Sequence, residues 1–211
     1  MKRPLIAREG WGIIAFLVII TAAVWFFYLP LAIIPGALLL LSLWFFRDPE
    51  RPIPGDDRTV VSPADGRVMY IREVEEPRFI QGKSIQVSIF LSIFNVHINR
   101  MPVGGTIGYR DYAPGQFLAA WNESVGEVNE RSYVGVDTGR FRVLVSQVAG
   151  LIARRIITYP KVGDRLARGE RFGLIRFGSC TQVWLPLGSE VLVKPGEMVQ
   201  GAKTIIGRLP E

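Results

Sequence analysis

A long uncharged segment near the N-terminus restricts what this chain can fold into more than any other feature of the sequence. Residues 10–46 include no Asp, Glu, Lys or Arg, although these types make up 21% of the whole chain. About 20 apolar residues are enough for one helical crossing of a bilayer, so this segment is long enough for two. Pro30 and Pro35 lie near its middle. We therefore predict two helices, over 11–28 and 31–46, joined by a turn.

Basic residues flank the apolar segment on both sides, at Lys2, Arg3 and Arg8 before it and at Arg47, Arg51 and Arg58 after it. Such flanks stay preferentially in the cytoplasm, so we predict a hairpin in the cell (inner) membrane with the rest of the chain on the cytoplasmic side. A single tilted pass stays open because the second half is short. A secretory signal peptide is disfavoured, since its apolar region would span about 7–15 residues and end in small residues, whereas this one ends in Trp44-Phe45-Phe46.

The composition changes after the apolar segment and predicts separate parts of the molecule. A segment rich in proline and charge follows, which predicts a stiff linker. Beyond it, short stretches alternate polar and apolar residues as half-buried strands do, most clearly over 84–89, 143–149 and 191–193. We therefore divide the chain into a basic tail, a membrane hairpin, a linker and a mainly β domain, at residues 1–9, 10–46, 47–58 and 59–211.

Two glycine-containing segments of the β domain share one pattern. KVGDRLARGERFGLI (161–175) and KPGEMVQGAKTIIGRL (194–209) both begin with Lys-x-Gly-acid-x-aliphatic. Sharply turning hairpins of this kind are typical of a barrel or sandwich. We predict that architecture, with a turn or short helix over 115–120. On its own, the repeat fits a lipoyl-like carrier domain equally well.

The charge and the cysteine count exclude several classes of partner and site. The net charge of +6 suits an anionic partner. No basic block is interleaved with aromatic residues, so we predict anionic lipid and no nucleic acid. Cys180 is the only cysteine and His97 the only histidine, which excludes an intramolecular disulfide and a cysteine metal cluster. A zinc site would need mostly carboxylates, so we predict no metal.

Three side chains are candidates for chemistry. His97, in FNVHINR, is the one imidazole that could act as acid or base near neutral pH. Asp65, in SPADGRV, either forms a hairpin corner with Gly66 or orients a histidine. Ser179 follows Gly178, and a glycine permits the cramped geometry in which a serine oxygen attacks the preceding carbonyl. No Gly-x-Ser-x-Gly motif surrounds Ser179, so a hydrolase elbow is not indicated.

Four arginines are candidate phosphate ligands, because guanidinium groups bind phosphate through paired hydrogen bonds. Each is also consistent with solvated surface. They are Arg100, Arg131, Arg154 and Arg155.

Taken together, these segments resemble the phosphatidylserine decarboxylase family in its short, membrane-anchored bacterial form. The resemblance covers nearly the whole chain, and it depends on the order and spacing of several motifs. They are FFRDPERPIP after the apolar segment, SPADGRV, FLSIFNVHINRMPVGGTI, YAPGQF, NER, QVAGLIARRI, and ERFGLIRFGS up to Ser179.

The resemblance implies an enzyme that makes its own cofactor. By analogy, Ser179 attacks the carbonyl of Gly178 and turns the peptide bond into an ester. Removal of the α-hydrogen of Ser179 then splits the chain into a β chain, 1–178, and an α chain, 179–211. The resulting dehydroalanine hydrolyses to a pyruvoyl group with loss of ammonia. Asp65, His97 and Ser179 would form the processing triad, with His97 as the base and Asp65 orienting it.

The resemblance also implies the substrate, a membrane phospholipid. The amine of phosphatidylserine would form a Schiff base with the pyruvoyl ketone, which accepts the electrons released as carbon dioxide leaves. Protonation by His97 and hydrolysis would give phosphatidylethanolamine, a step of phospholipid biosynthesis. Longer family members carry two histidines in a DYHRVH-like segment. Here His97 takes the first position and Arg100 the second, so whether His97 serves both steps stays open.

Two alternatives from other classes stay open at this point. A membrane-tethered, non-enzymatic lipoyl-like carrier or adaptor would explain the anchor and the glycine hairpins. A serine protease of signal-peptidase type would use Ser62 and Lys83 as its catalytic pair. Chain cleavage after Gly178 separates the decarboxylase from both. The sequence also leaves the oligomeric state open, with a homodimer as one arrangement.

Overall fold

The computed structural model describes residues 5–118, 128–151, 155–176 and 179–211. The chain divides into two compact units, Met1–Glu50 and Arg51–Glu211. Each unit is described in turn.

The first unit is a pair of apolar helices. Helix α1 spans Trp11–Phe27 and α2 spans Ile33–Phe45, with a 3-10 turn over Leu29–Ala32 between them. The second helix begins two residues later than predicted, because Pro30 starts the 3-10 turn and Pro35 lies in the first turn of α2. At both places the missing N–H costs no intrahelical hydrogen bond.

One helical segment of the described chain is long and apolar enough to cross a membrane. It is Arg8–Phe27, with a mean hydropathy of 2.3, and the second apolar segment, Leu29–Phe45, is shorter. The predicted pair of helices is therefore present. Whether it crosses a membrane once or twice stays a prediction.

The second unit is built from short antiparallel strands. Within the described residues they are β1 Thr59–Val61, β2 Gly66–Glu76, β3 Gly82–Leu91, β4 Ile98–Arg100, β5 Gly105–Ala113, β6 Arg131–Asp137, β7 Arg142–Ala149, β8 Arg155–Thr158, β9 Arg165–Leu166, β10 Arg171–Arg176, β11 Ser179–Pro186, β12 Glu190–Val191, β13 Met198–Val199 and β14 Ile205–Arg208.

These strands form one large curled sheet and two small sheets. The large sheet has the order β13-β2-β3-β11-β7-β6-β5-β9, and the small ones have the orders β4-β10-β8 and β1-β14-β12. This architecture confirms the predicted mainly β, barrel-like domain and the strands at 84–89 and 143–149. The predicted strand at 191–193 is wrong beyond Val191, where β12 ends. Of the predicted turn or short helix over 115–120, the structure describes residues 115–118. Gln116 makes an isolated parallel bridge with Asn129 there.

The alternation of side chains along β11 defines the two faces of the large sheet. Val183 and Leu185 pack in the main hydrophobic core with residues of β3. Cys180 and Trp184 belong to separate clusters on the other face. Successive side chains of a strand point to opposite faces, so Ser179 shares the core face with Val183.

The two copies of the sequence repeat form the same turn. In each, the backbone N–H of the lysine donates to the carboxylate three residues later, at 2.7 Å for Lys161 and 3.0 Å for Lys194. The glycine two residues after the lysine has φ of +95° in the first copy and +88° in the second. Only glycine adopts this left-handed backbone without strain, which explains why the glycines recur.

Candidate active site

Ser179 begins the central strand of the large sheet. It lies opposite Leu91 of β3 on one side and Ala149 of β7 on the other. Its side chain is fully buried, and its Oγ has no hydrogen-bond partner within the part of the chain that the structure describes. Gly178 lies outside the described residues.

Asp65 lies at the same end of the large sheet as Ser179. It immediately precedes β2, and in the sheet register Arg67 pairs with Phe90, which in turn pairs with Cys180. A Cβ on Gly66 would lie 2.8 Å from the carbonyl carbon of Phe90, so this close approach requires a glycine. Asp65 therefore leads into a strand. Since β1 pairs with β14 whereas β2 pairs with β13 and β3, Asp65 is not the corner of a hairpin between β1 and β2.

The Asp65 carboxylate is held by a pair of hydrogen bonds from one arginine. Arg51 Nη1 lies 2.5 Å from Asp65 Oδ1, and Arg51 Nη2 donates to Oδ2 at 2.8 Å. The backbone N–H of Gly201 donates to Oδ1 at 2.8 Å. Both charged side chains are 11% exposed. Solvent therefore screens this pair less than it would a pair on the surface.

His97 lies beside the strand that leads to Ser179. Its carbonyl accepts a hydrogen bond from the N–H of Ile175 in β10 at 3.4 Å. Ile175 packs against Ala149, the residue opposite Ser179. The backbone N–H of Arg100, three residues on, donates to the Pro63 carbonyl at 2.9 Å. The segments that carry His97, Ser179 and Asp65 are therefore neighbours.

The hydrogen bond at Nδ1 of His97 determines which ring nitrogen is basic. Nδ1 lies 3.0 Å from the backbone carbonyl of Asn95. A carbonyl oxygen can only accept, so Nδ1 carries the proton and Nε2 is the basic nitrogen of the neutral ring. The Asn95 carbonyl thus orients the ring at Nδ1. The role of Asp65 toward His97 stays a prediction.

Uncharged polar side chains form a buried network on the face of the sheet that Ser179 shares. Asn99 Nδ2 donates to Thr181 Oγ1 at 3.0 Å, and Gln147 Nε2 donates to Asn99 Oδ1 at 2.9 Å. Thr158 Oγ1 donates to Gln147 Oε1 at 2.8 Å and lies 2.9 Å from Ser132 Oγ. Because Thr181 is two residues from Ser179, this network continues the surface on which Ser179 lies.

A Gln147→Leu substitution is expected to lower the free energy of unfolding by about 3 kcal/mol, because Asn99 and Thr158 would lose a partner in a dry interior. Chemical unfolding in detergent measures this in the uncleaved Ser179→Ala background, where the protein is one chain. Gln86→Leu is the matched control, since Gln86 bonds the exposed Arg72 on the other face and water can replace that contact. Equal stabilities for the two variants would contradict the network.

The candidate phosphate ligands lie in different places. Arg100 is buried, and its Nη1 donates to the Gly169 carbonyl at 3.3 Å. Arg155 is exposed and is the first residue of β8. It pairs with Arg176, the last residue of β10, which is next to residue 177. Arg154 lies outside the described residues.

Arg131 lies on the opposite face of the sheet from Ser179. It pairs with Val148, which pairs with Cys180, and directly opposed residues share a face. It lines a pocket of about 310 Å³ together with Tyr133 and Trp184. Arg131 is therefore separated from Ser179 by the sheet.

Comparison with known proteins identifies the family. The family model for phosphatidylserine decarboxylase matches residues 38–207. A phosphatidylserine decarboxylase proenzyme of Symbiobacterium thermophilum is 64% identical, and the alignment covers 100% of this chain and 99% of that one. Proenzymes of Carboxydothermus hydrogenoformans and Geotalea uraniireducens are 45% and 44% identical, with 99% of both chains covered in each case.

The chain belongs to the phosphatidylserine decarboxylase family. This confirms the resemblance found in the sequence and removes the carrier and protease alternatives. The structure agrees about the protease, since the buried Ser62 hydroxyl donates to the Ala64 carbonyl at 2.7 Å and Lys83 is an exposed residue of β3.

Sequence reasoning missed three groups at this candidate site. Arg51 was assigned to the linker flank, although it lies in the motif FFRDPERPIP. Arg176 was not singled out, although it lies three residues before Ser179. The Asn95 carbonyl was missed because a backbone oxygen carries no sequence signal.

Cys180, next to Ser179, is buried on the other face of the sheet. Its Sγ lies 3.0 Å from Ser88 Oγ. Burial raises the pKa of the thiol from 9.0 to about 11. The thiol is therefore neutral in the folded protein at physiological pH, and a neutral thiol is a poor nucleophile.

The raised pKa makes stability depend on pH in a defined window. The folded state binds the thiol proton more tightly than the unfolded state, so this contribution is complete below pH 9 and is lost as pH rises toward 11. Relative to Cys180→Ser, the uncleaved protein is expected to lose about 2 kcal/mol between pH 8 and pH 10.5. The free energy of unfolding of both proteins, determined at pH 8 and pH 10.5, measures this difference. Equal losses of stability in the two proteins would contradict the prediction.

Proposed function

We propose that this protein converts phosphatidylserine to phosphatidylethanolamine with a pyruvoyl group made from Ser179. Family membership supports the reaction. The observation that carries the cofactor is the buried Ser179 Oγ, which has no hydrogen-bond partner in the described chain and stands at the start of β11. A structural serine would be satisfied there, whereas a nucleophile must be available.

Processing uses groups of the chain itself. Ser179 Oγ attacks the carbonyl of Gly178 and gives up its proton to Nε2 of His97, so that the peptide bond becomes an ester. A base then takes the α-hydrogen of Ser179, the ester oxygen leaves with Gly178, and residue 179 becomes dehydroalanine. Water converts this to pyruvoyl and ammonia. His97 suits the base because the Asn95 carbonyl fixes its proton on Nδ1, which makes Nε2 the basic nitrogen of the neutral ring.

The two products are expected to stay together. β11 is the first part of the α chain, and it pairs along its length with β3 and for six residues with β7 of the β chain. Breaking the chain before Ser179 leaves these hydrogen bonds in place. The enzyme would therefore consist of an α chain, 179–211, inserted in the sheet of the β chain, 1–178.

In decarboxylation, the pyruvoyl ketone would bind the substrate amine covalently and accept the electrons that carbon dioxide leaves behind. The residues of the chain position the lipid around it. Arg155 and Arg176 would bind the phosphate, since both are cationic and Arg176 lies three residues before the proposed cleavage site at Ser179. His97 would return a proton to the α-carbon. The apolar helix pair would hold the protein in the cytoplasmic membrane, where the substrate resides.

Vesicles that contain carboxyl-labelled phosphatidylserine test this proposal. Purified, processed protein in detergent should release labelled carbon dioxide and form phosphatidylethanolamine in equal amounts. Prior treatment with hydroxylamine, which reacts with ketones, should abolish both. Fully processed protein that releases no carbon dioxide would contradict the proposed reaction, and activity that survives hydroxylamine would contradict the cofactor.

A further inference from the structure

The contacts of Arg51 with Asp65 involve three separate segments of the chain. Arg51 directly follows the N-terminal unit, Asp65 precedes β2, and Gly201 follows β13. Besides binding both oxygens of Asp65, Arg51 Nη1 donates to the Gly201 carbonyl at 2.7 Å. The N–H of Gly201 donates back to Asp65 Oδ1. The carboxylate is therefore fixed from two directions.

Among the residues that the structure describes, the hydrogen bonds leave the carboxylate with one acceptor position. An ionised carboxylate has about four lone-pair sites. Asp65 Oδ1 accepts two bonds, from Arg51 and Gly201, while Oδ2 accepts one, from Arg51. The second lone pair of Oδ2 can therefore accept a further donor, and the bidentate pair fixes its direction.

We propose that Arg51 is a positioning residue for self-processing, which it supports by holding Asp65 in one orientation at the end of the sheet where Ser179 begins β11. This inference rests on the proposed function, self-processing before Ser179, and on the prediction from the sequence that Asp65 belongs to the processing triad with His97 and Ser179. Arg51 touches no reacting atom in this account. It acts through Asp65, and a lysine cannot replace it because an ammonium group cannot bind both carboxylate oxygens in this planar geometry.

The same contacts would connect the two chains after cleavage. Arg51 and Asp65 belong to the proposed β chain and Gly201 to the α chain. The two hydrogen bonds to Gly201 therefore persist when the bond before Ser179 is broken. Arg51 would keep Asp65 in one place in the precursor and in the mature enzyme.

The rate of self-cleavage in full-length protein made by cell-free synthesis in detergent tests the proposal. Arg51→Ala is expected to slow cleavage by about 100-fold, as misplaced catalytic groups do, and Arg51→Lys by about 10-fold. Arg58→Ala is the matched control. Like Arg51, Arg58 lies near the start of the second unit, but its ion pair with Glu211 is on the surface. The Arg58→Ala variant should cleave at the wild-type rate.

Two further readouts separate positioning from general support of the fold. Adding Asp65→Asn to Arg51→Ala should slow cleavage little more, because both changes remove one interaction. Millimolar guanidinium, far below denaturing concentrations, should speed cleavage of Arg51→Ala at least 5-fold and leave the double variant unchanged. A variant that is merely destabilised would not gain from guanidinium.

The outcomes are distinct. Wild-type cleavage rates in Arg51→Ala or Arg51→Lys would overturn the proposal, as would additive effects with Asp65→Asn or failure of guanidinium to speed Arg51→Ala. Arg51→Lys keeps the positive charge, so its cleavage rate tests the proposal if Arg51→Ala does not fold. If the wild type itself is not cleaved before Ser179, the proposed function fails before Arg51 is tested.

Discussion

A Ser179→Ala variant is expected to accumulate as one uncut chain of 211 residues and to release no carbon dioxide from phosphatidylserine. Alanine has no oxygen to attack Gly178, so neither the ester nor the pyruvoyl group can form. Loss of a covalent catalytic group typically costs a factor of roughly 10³ or more. Gel electrophoresis measures the cleavage, and trapped carbon dioxide measures the activity.

Two variants serve as controls for this result. Ser88→Ala removes another buried hydroxyl, on the Cys180 face of the sheet, and should leave cleavage intact. Ser179→Thr keeps a hydroxyl at the same atom and should cleave slowly, since the extra methyl group crowds a fully buried position. A Ser179→Ala protein that is cut before residue 179 would show that another group breaks the chain.

A His97→Gln variant is expected to process itself about 10²- to 10⁴-fold more slowly than the wild type, the range for loss of a general base. Glutamine is close to histidine in size, and its amide can still donate to the Asn95 carbonyl. It has no basic nitrogen in place of Nε2. The change therefore removes the proton acceptor while disturbing the packing little.

The time course of cleavage after synthesis measures the effect of His97→Gln. Its thermal unfolding, compared with that of uncleaved Ser179→Ala, shows whether the fold is intact. Carbon dioxide release per processed chain then tests whether His97 also serves decarboxylation. Wild-type processing in a folded His97→Gln protein would assign the base to another residue.

The sequence was sufficient where one local rule determines the structure. The uncharged run predicted the helix pair, and alternation predicted the strands over 84–89 and 143–149. The recurring glycines marked turns that need a left-handed backbone. The motif order predicted the family, which the comparisons confirm.

The site depends on register and on contacts between distant residues, which a single sequence does not encode locally. Arg131 lies on the far face because of two successive strand pairings, through Val148 to Cys180. The partners of Asp65 are 14 residues before it and 136 residues after it. The orientation of His97 depends on a backbone carbonyl, which every residue has.

The mass of the α chain tests the central claim most directly. Intact-mass spectrometry of freshly purified protein should find a chain of residues 179–211 that is lighter, by one ammonia, than the same chain with an N-terminal serine. Hydroxylamine should add to this chain and leave the chain of residues 1–178 unchanged. A chain that begins with free serine would indicate ordinary hydrolysis, and a single uncut chain would indicate no processing; either result would contradict a pyruvoyl enzyme.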